Sequence, residues 1–345
     1  MSSIAMRARA PALLFASGLL AFGCGRSALY DFETTGHTGS GSSSGSSSGV
    51  GTMSCGSGNG TPVVLATGPH PMTSLAVDAT NVYWVDLLGS VMKVSKCGGV
   101  PTTLATAGTA GSGGGSAGLA VDSTRAYWAD DPGDVLAVPL SGGTPTTLAT
   151  DTPQVMGLAV GGSDLYWVRP FVVESIPVQG GALATLGMPG AITQGPPAVD
   201  DTSIYWVGDG IFSMLRTGGA VTTLAAMPFV RGLAIDDANV YWCASSLSNA
   251  PIMSTPKAGG ISVTLATDQS GAFAFAVDGL NVYWTDTARN LVMKVPIAGG
   301  VPVTVASAPM LTGIVLDDTS VYWAQYTNTS TPSGSAASVM KLSPK

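Results

Sequence analysis

The chain has 345 residues, only 10% of them charged, with 46 glycines and a formal net charge of −7. So few ionisable side chains argue against helices laced with surface ion pairs and favour turn-rich β structure. The excess of acid over base excludes nucleic acid as a partner, because phosphate binding needs clustered Lys and Arg.

The first segment reads as an export signal. Arg7 and Arg9 precede an apolar run from Ala10 to Phe22, interrupted by Pro11, Ser17 and Gly18. That run is too short to span a bilayer as a helix. It ends in Leu20-Ala21-Phe22-Gly23-Cys24, which resembles the bacterial lipobox. The resemblance implies cleavage of residues 1–23 and lipidation of Cys24, with acyl chains anchoring the mature protein to the membrane. The competing reading is an ordinary signal peptide with a chance cysteine. Loss of Arg7 and Arg9 would take the charge from −7 to −9. Gly25 stands where inner-membrane lipoproteins carry Asp, so by analogy the expected address is the outer membrane of a bacterial cell envelope. Residues 24–60 then form a tether whose stretch from Gly39 to Gly49 is all Gly and Ser, with no core-forming side chains. A G-x-S-x-G pattern around Ser43 and Ser47 belongs to this low-complexity run, since a nucleophile elbow needs a strand before it and a helix after it.

From residue 61 to 345 the chain repeats. All seven tryptophans follow a tyrosine, at Trp84, Trp128, Trp167, Trp206, Trp242, Trp284 and Trp323, at spacings of 44, 39, 39, 36, 42 and 39 residues. A period near forty with four short β segments per unit predicts an all-β, seven-bladed β-propeller of four-stranded antiparallel blades. The sixth copy lays out the unit: Phe275–Asp278, Asn281–Asp286, Val292–Val295 and Val303–Ala306, strands A to D from the axis outward. Small residues alternate with larger ones in strand A, as in Gly118/Ala120 against Leu119/Val121, which suits blades converging on an axis. Adjacent Tyr and Trp in strand B must point to opposite faces and fill both inter-blade gaps. The last copy lacks a strand D, and Thr61–Ala66 is left over at the start, so the N-terminal strand is expected to close the last blade.

Tyr283-Trp284-Thr285-Asp286 matches the YWTD motif, while Tyr83-Trp84-Val85-Asp86 and Tyr127-Trp128-Ala129-Asp130 match it in part. The chain therefore resembles the YWTD-type (LDL-receptor class B-like) β-propeller repeat proteins, in a bacterial secreted lipoprotein variety. The resemblance covers roughly residues 61–345 and implies the fold much more than a function. Receptor propellers of this kind have six blades and flanking disulfide modules, so an endocytic role does not carry over.

Strand A ends in Asp78, Asp122, Asp200, Asp236, Asp278 and Asp317, with Gly161 breaking the series. Such a ring could bind a cation, but recurrence in nearly every repeat favours closure of the A–B turns. Ligand recognition is expected where the repeats disagree, on the B–C and D–A loops, and the candidate ligand-binding residues are Asp130, Arg169, Phe171, Phe229, Arg231, Arg289 and Tyr326; drifting loop sequence is the equal competitor. Cys55 and Cys97 should lie near one seam, where an oxidising compartment would let them pair, and Cys243 reads as a buried small residue. No catalytic set, metal spacing or cofactor motif is evident. The expected function is a noncatalytic binding or scaffold module for a protein or glycan ligand at the envelope. The alternative is a metal-assisted lyase or hydrolase centred on His70.

Overall fold

Each Tyr-Trp pair occupies the second strand of a four-stranded antiparallel sheet, and the computed structural model contains seven such sheets. It describes residues 59–106, 117–130, 133–188, 195–244, 249–327 and 336–345. In the first blade, strands A to D are Met72–Val77, Asn81–Asp86, Val91–Ser95 and Thr102–Ala105. The next five blades repeat that order. In the seventh, Gly313–Leu316, Val321–Thr327 and Ala336–Leu342 form strands A to C, and the N-terminal strand Val63–Gly68 pairs outside them, Val63 opposite Lys341 and Gly68 opposite Ala337. The ring is thus closed by its own first strand, as the orphan segment predicts, and neighbouring A strands touch all the way round.

The reason for the doubled aromatic lies in the gaps. The buried apolar side chains fall into seven clusters, and each contains the Tyr of one blade and the Trp of the next: Tyr83 with Trp128, Tyr127 with Trp167, and so on to Tyr322 with Trp84 across the closing seam. Two consecutive strand residues point to opposite faces, so one dipeptide serves both gaps beside its blade. Every one of these rings is buried. Burying an aromatic of this size is worth on the order of 3–5 kcal/mol by truncation, and the ring of blades holds fourteen of them.

This wiring gives the domain two chemically distinct faces. A–B and C–D turns lie together on one, here the turn face; B–C and D–A loops lie on the other, the loop face. Gly60, whose N–H donates to the carbonyl of Ser343 at 3.1 Å, places the chain's entry into the propeller on the turn face.

Candidate functional site

The six strand-A aspartates lie on the turn face, and their oxygens are already engaged. In the first blade Asp78 Oδ1 accepts from the backbone N–H of Thr80 and of Asn81, and Oδ2 accepts from the Tyr83 hydroxyl at 2.6 Å. The same clamp joins Asp122 to Tyr127, Asp200 to Tyr205, Asp236 to Tyr241 and Asp317 to Tyr322. Burial alone would raise the Asp200 and Asp317 carboxyls, but lysine, turn amides and tyrosine outweigh it and hold both well below the usual carboxylate range. Burial and the facing carboxylate push the Tyr205 phenol up to about 12. These carboxylates close turns, as their recurrence suggests; their partnership with the repeat tyrosine is the part that sequence reading missed. The signal was present, since Asp and Tyr stand five residues apart in every blade that has the Asp.

A cation from the following blade completes several of these clamps. The residue after strand C reaches back to the preceding blade: Lys257 to Asp200 at 2.8 Å, Lys96 to Asp317 at 2.8 Å, and, two residues further along its turn than the others' pattern requires, Lys345 to Asp278 at 2.9 Å. In the third blade, where Gly161 replaces Asp, Arg216 of the fourth blade fills the vacancy, donating from Nε to the Tyr166 hydroxyl at 2.9 Å and from Nη2 to the Gly161 carbonyl. In the sixth blade Asp278 turns Oδ2 to Lys345, and the Tyr283 hydroxyl has no hydrogen-bond partner among the described residues.

The loop face is where symmetry breaks, and here the structure separates the seven candidate residues. Arg169 is committed to the fold. Its Nε and Nη2 both meet Glu174 at 2.7 Å, and Glu174 Oε2 also accepts from the Trp167 indole at 2.8 Å. Glu174 is 3% exposed and faces Trp167 in the ladder, where the other blades place Met92, Leu136, Phe212, Met253, Met293 or Met340. Arg289 is likewise engaged: it lies 3.5 Å from the fully buried Asp286 and donates to the backbone carbonyl of Asp268. Tyr326 packs against the core of the closing seam. Asp130 caps its own loop by accepting from the Asp134 N–H at 2.8 Å.

Phe171, Phe229 and Arg231 are presented outward. Phe171 is 54% exposed at the tip of the hairpin between Asp164–Arg169 and Val172–Pro177, with φ of 69°. The residue two places before the buried start of strand C has positive φ in the first, second, fifth and sixth blades as well, and there it is Gly89, Gly133, Ala250 and Asn290. Gly and Asn tolerate this region and Ala250 lies only at its margin, with φ of 30°, whereas a bulky side chain well inside it costs on the order of 1 kcal/mol or more. Phe229 is exposed with φ of 57°. Sequence reading missed Phe273, 48% exposed in strand A of the sixth blade at the position matching Arg231 in the fifth; its apolar alternation reads as core. These exposed residues are spread over several blades, so the loop face offers a surface built from separate loops.

His70 is half-buried in the loop between the N-terminal strand and the first blade. Among the described residues no three His, Cys, Asp or Glu side chains come together as a metal-binding group. Cys97 is disulfide-bonded; Cys24 and Cys55 lie outside the described residues, as do the expected export signal and most of the expected tether. Cys243 is a free, buried thiol, pushed up to about 12 by burial.

Architecture of this kind defines a seven-bladed β-propeller. No protein-family model matches the chain, and no curated protein matches it. Among solved structures it is similar to a catalytically inactive histidine-to-alanine variant of virginiamycin B lyase from Staphylococcus aureus bound to quinupristin, at 14% identity and a TM-score of 0.65 over 82% of this chain and 98% of that one. It is also similar to a chain of the nidogen/laminin complex, at 20% identity and a TM-score of 0.51 over 64% of this chain and 90% of that one. YCF48 bound to a D1 peptide aligns at 8% identity and a TM-score of 0.59 over 83% and 97%. At these identities the likeness is one of fold.

Proposed function

We propose that this chain is a noncatalytic binding and scaffold propeller, held at the bacterial envelope through a lipidated Cys24, that recognises a protein or glycan ligand through its loop face. The observation that carries the reading is Phe171. A half-exposed aromatic at φ of 69° occupies a backbone position that other blades with positive φ give to Gly, Asn or Ala, and strain of this kind clusters at functional sites. Binding residues concentrate on loops set by a rigid scaffold, and aromatic side chains, Phe among them, are enriched at the centres of interfaces. Nidogen in complex with laminin and YCF48 with a peptide are propeller neighbours whose structures include a protein partner.

The test is capture from envelope extracts by the full chain and by Phe171→Ala. A partner retained by the former and lost by the latter, with unfolding midpoints unchanged, supports the reading. Equal capture by both overturns it. If instead a metal-dependent turnover disappears in His70→Ala, the lyase or hydrolase alternative replaces it. Lipidation is tested separately, because labelled palmitate should enter the wild type and be absent from Cys24→Ala.

A further inference from the structure

The charges of the propeller are sorted between its faces. Every lysine among the described residues serves the turn face or the blade bodies leading to it. Lys96, Lys257 and Lys345 pair with strand-A aspartates, Lys93 and Lys341 donate to the turn carbonyls of Leu140 and Lys96, and Lys294 lies over the Tyr283 ring. Among the described residues the loop face has only arginines as cations, and two of the three are neutralised, Arg169 by Glu174 and Arg289 by Asp286. Six aspartates remain there without an ion pair among the described residues: Asp86, Asp130, Asp134, Asp151, Asp209 and Asp268.

Four of the six fall in one arc. Asp86 sits in the B–C loop of the first blade, Asp130 and Asp134 in that of the second, and Asp151 in the loop leading to the third. The last two loops are fastened together, the N–H of Thr152 donating to the Gly133 carbonyl at 2.9 Å. The same arc exposes Leu87 and Leu88 beside Asp86, and Phe171 on the third blade. Its one described arginine is Arg169, already held by Glu174, while Arg231 and Arg289 belong to the fifth and sixth blades.

Resting on the reading of the loop face as a recognition surface, we infer that its occupant over blades one to three is a cationic protein segment, one whose Lys or Arg residues are interspersed with apolar side chains. Four unpaired carboxylates create a local negative field that attracts such a segment and suppresses acidic competitors. Leu87, Leu88 and Phe171 supply the apolar contact that charge alone does not provide. The arrangement also assigns Glu174 a part: by neutralising Arg169 it removes the one positive charge that would oppose binding beside Phe171.

The experiment measures binding of a labelled synthetic peptide of alternating Lys and Leu, and of its Glu–Leu counterpart, to the full chain. The Lys–Leu peptide should bind with an affinity that falls as salt rises, and the Glu–Leu peptide should not bind. The triple variant Asp130→Asn, Asp134→Asn, Asp151→Asn should weaken binding about tenfold. Its fold should survive, because an Asn Oδ1 at position 130 can still accept from the residue 134 amide. The control triple Asp201→Asn, Asp237→Asn, Asp318→Asn alters exposed carboxylates of the turn face and should leave binding unchanged. Equal loss in both triples would show general attraction to an acidic chain and overturn the inference, as would failure of the Lys–Leu peptide to bind. A captured envelope partner lost by Phe171→Ala yet retained by the loop-face triple would leave the binding function standing and remove only this class of partner.

Discussion

Lys96 in the first blade bonds Asp317 in the seventh at 2.8 Å, so an ion pair crosses the seam at which the two ends of the propeller meet. Both side chains are mostly buried, at 12% and 20% exposure, which strengthens their attraction and raises the cost of orphaning either. Asp317→Asn should destabilise the chain by about 1–3 kcal/mol in urea unfolding. Asp236→Asn is the matched control. Asp236 makes the same turn and tyrosine bonds, but Ile297 stands where a lysine would reach it. Its cost should be smaller by about 1 kcal/mol, the share due to the lysine. Equal costs would show that the closing pair contributes nothing beyond the turn.

The clamps also set limits at both ends of the pH scale. Asp200 and Asp317 are held below the ordinary carboxylate value of about 3.9. The unfolded chain therefore takes up protons first as pH falls. Their contribution to stability is complete above about pH 4 and drains away below it. The tyrosines behave in the opposite sense. Tyr205 and Tyr283 are pushed up to about 12 by burial and a facing carboxylate, against about 10 in the unfolded chain. The fold favours the neutral phenol, and that stabilisation is complete below pH 10 and lost between about 10 and 12. Denaturant midpoints followed from pH 2 to 12 should fall on both flanks, and phenolate absorbance from the clamped tyrosines should appear together with unfolding. Asp317→Asn should flatten the acid flank.

A double-mutant cycle at the third blade tests whether Glu174 and Arg169 act as a pair. Glu174→Met alone restores the apolar row but strips Arg169 of its carboxylate and leaves the Trp167 indole N–H without an acceptor. Arg169→Met alone leaves a buried carboxylate with only the indole to meet it. Each single change should cost about 3 kcal/mol or more, and the double about 1 kcal/mol or less. Orphaned indoles are tolerated elsewhere in this ring, since the N–H groups of Trp128, Trp206 and Trp284 have no partner among the described residues. Additive losses in thermal or urea unfolding would refute the pairing.

The fold was legible because its determinants repeat. One dipeptide recurring near every fortieth residue carries the number of blades, the strand that holds it and the two gaps that it fills. Closure was legible for the same reason: a missing strand at one end matched a spare strand at the other. What escaped was the cross-blade chemistry. Lys257 and Asp200 are 57 residues apart, and no local pattern points from one to the other. Arg169 and Arg289 looked like recognition residues because exposed arginines on variable loops usually are, and only side-chain direction reveals that each turns to an acid on its own hairpin. Glu174 was the available clue. It is one of two glutamates in the chain, it lies in a strand-C row that is otherwise apolar, and a carboxylate in that row requires a cation nearby. Phe171 was legible as exposed, but its significance rests on a backbone angle.

The gap in the aspartate series makes the sharpest separation between repeat and structure. By the logic of the repeat, Gly161→Asp restores the consensus clamp and should stabilise the third blade. The surroundings argue the reverse. A Cβ on residue 161 would lie 2.6 Å from Val199 Cγ1, a methyl that has little freedom to yield, and 3.5 Å from the Arg216 guanidinium carbon. The vacancy is also occupied, since Arg216 already satisfies the Tyr166 hydroxyl and the Gly161 carbonyl and stacks over the Tyr166 ring at 5.3 Å. A new carboxylate would gain the arginine as a partner but would displace it from both bonds. Gly161→Asp should therefore lower stability by about 1–3 kcal/mol. Pairing it with Val199→Ala, which removes the clashing methyl, should recover part of that loss despite deleting apolar volume. If Gly161→Asp alone raises the unfolding midpoint, the seam between the third and fourth blades is looser than the packing around Val199 requires.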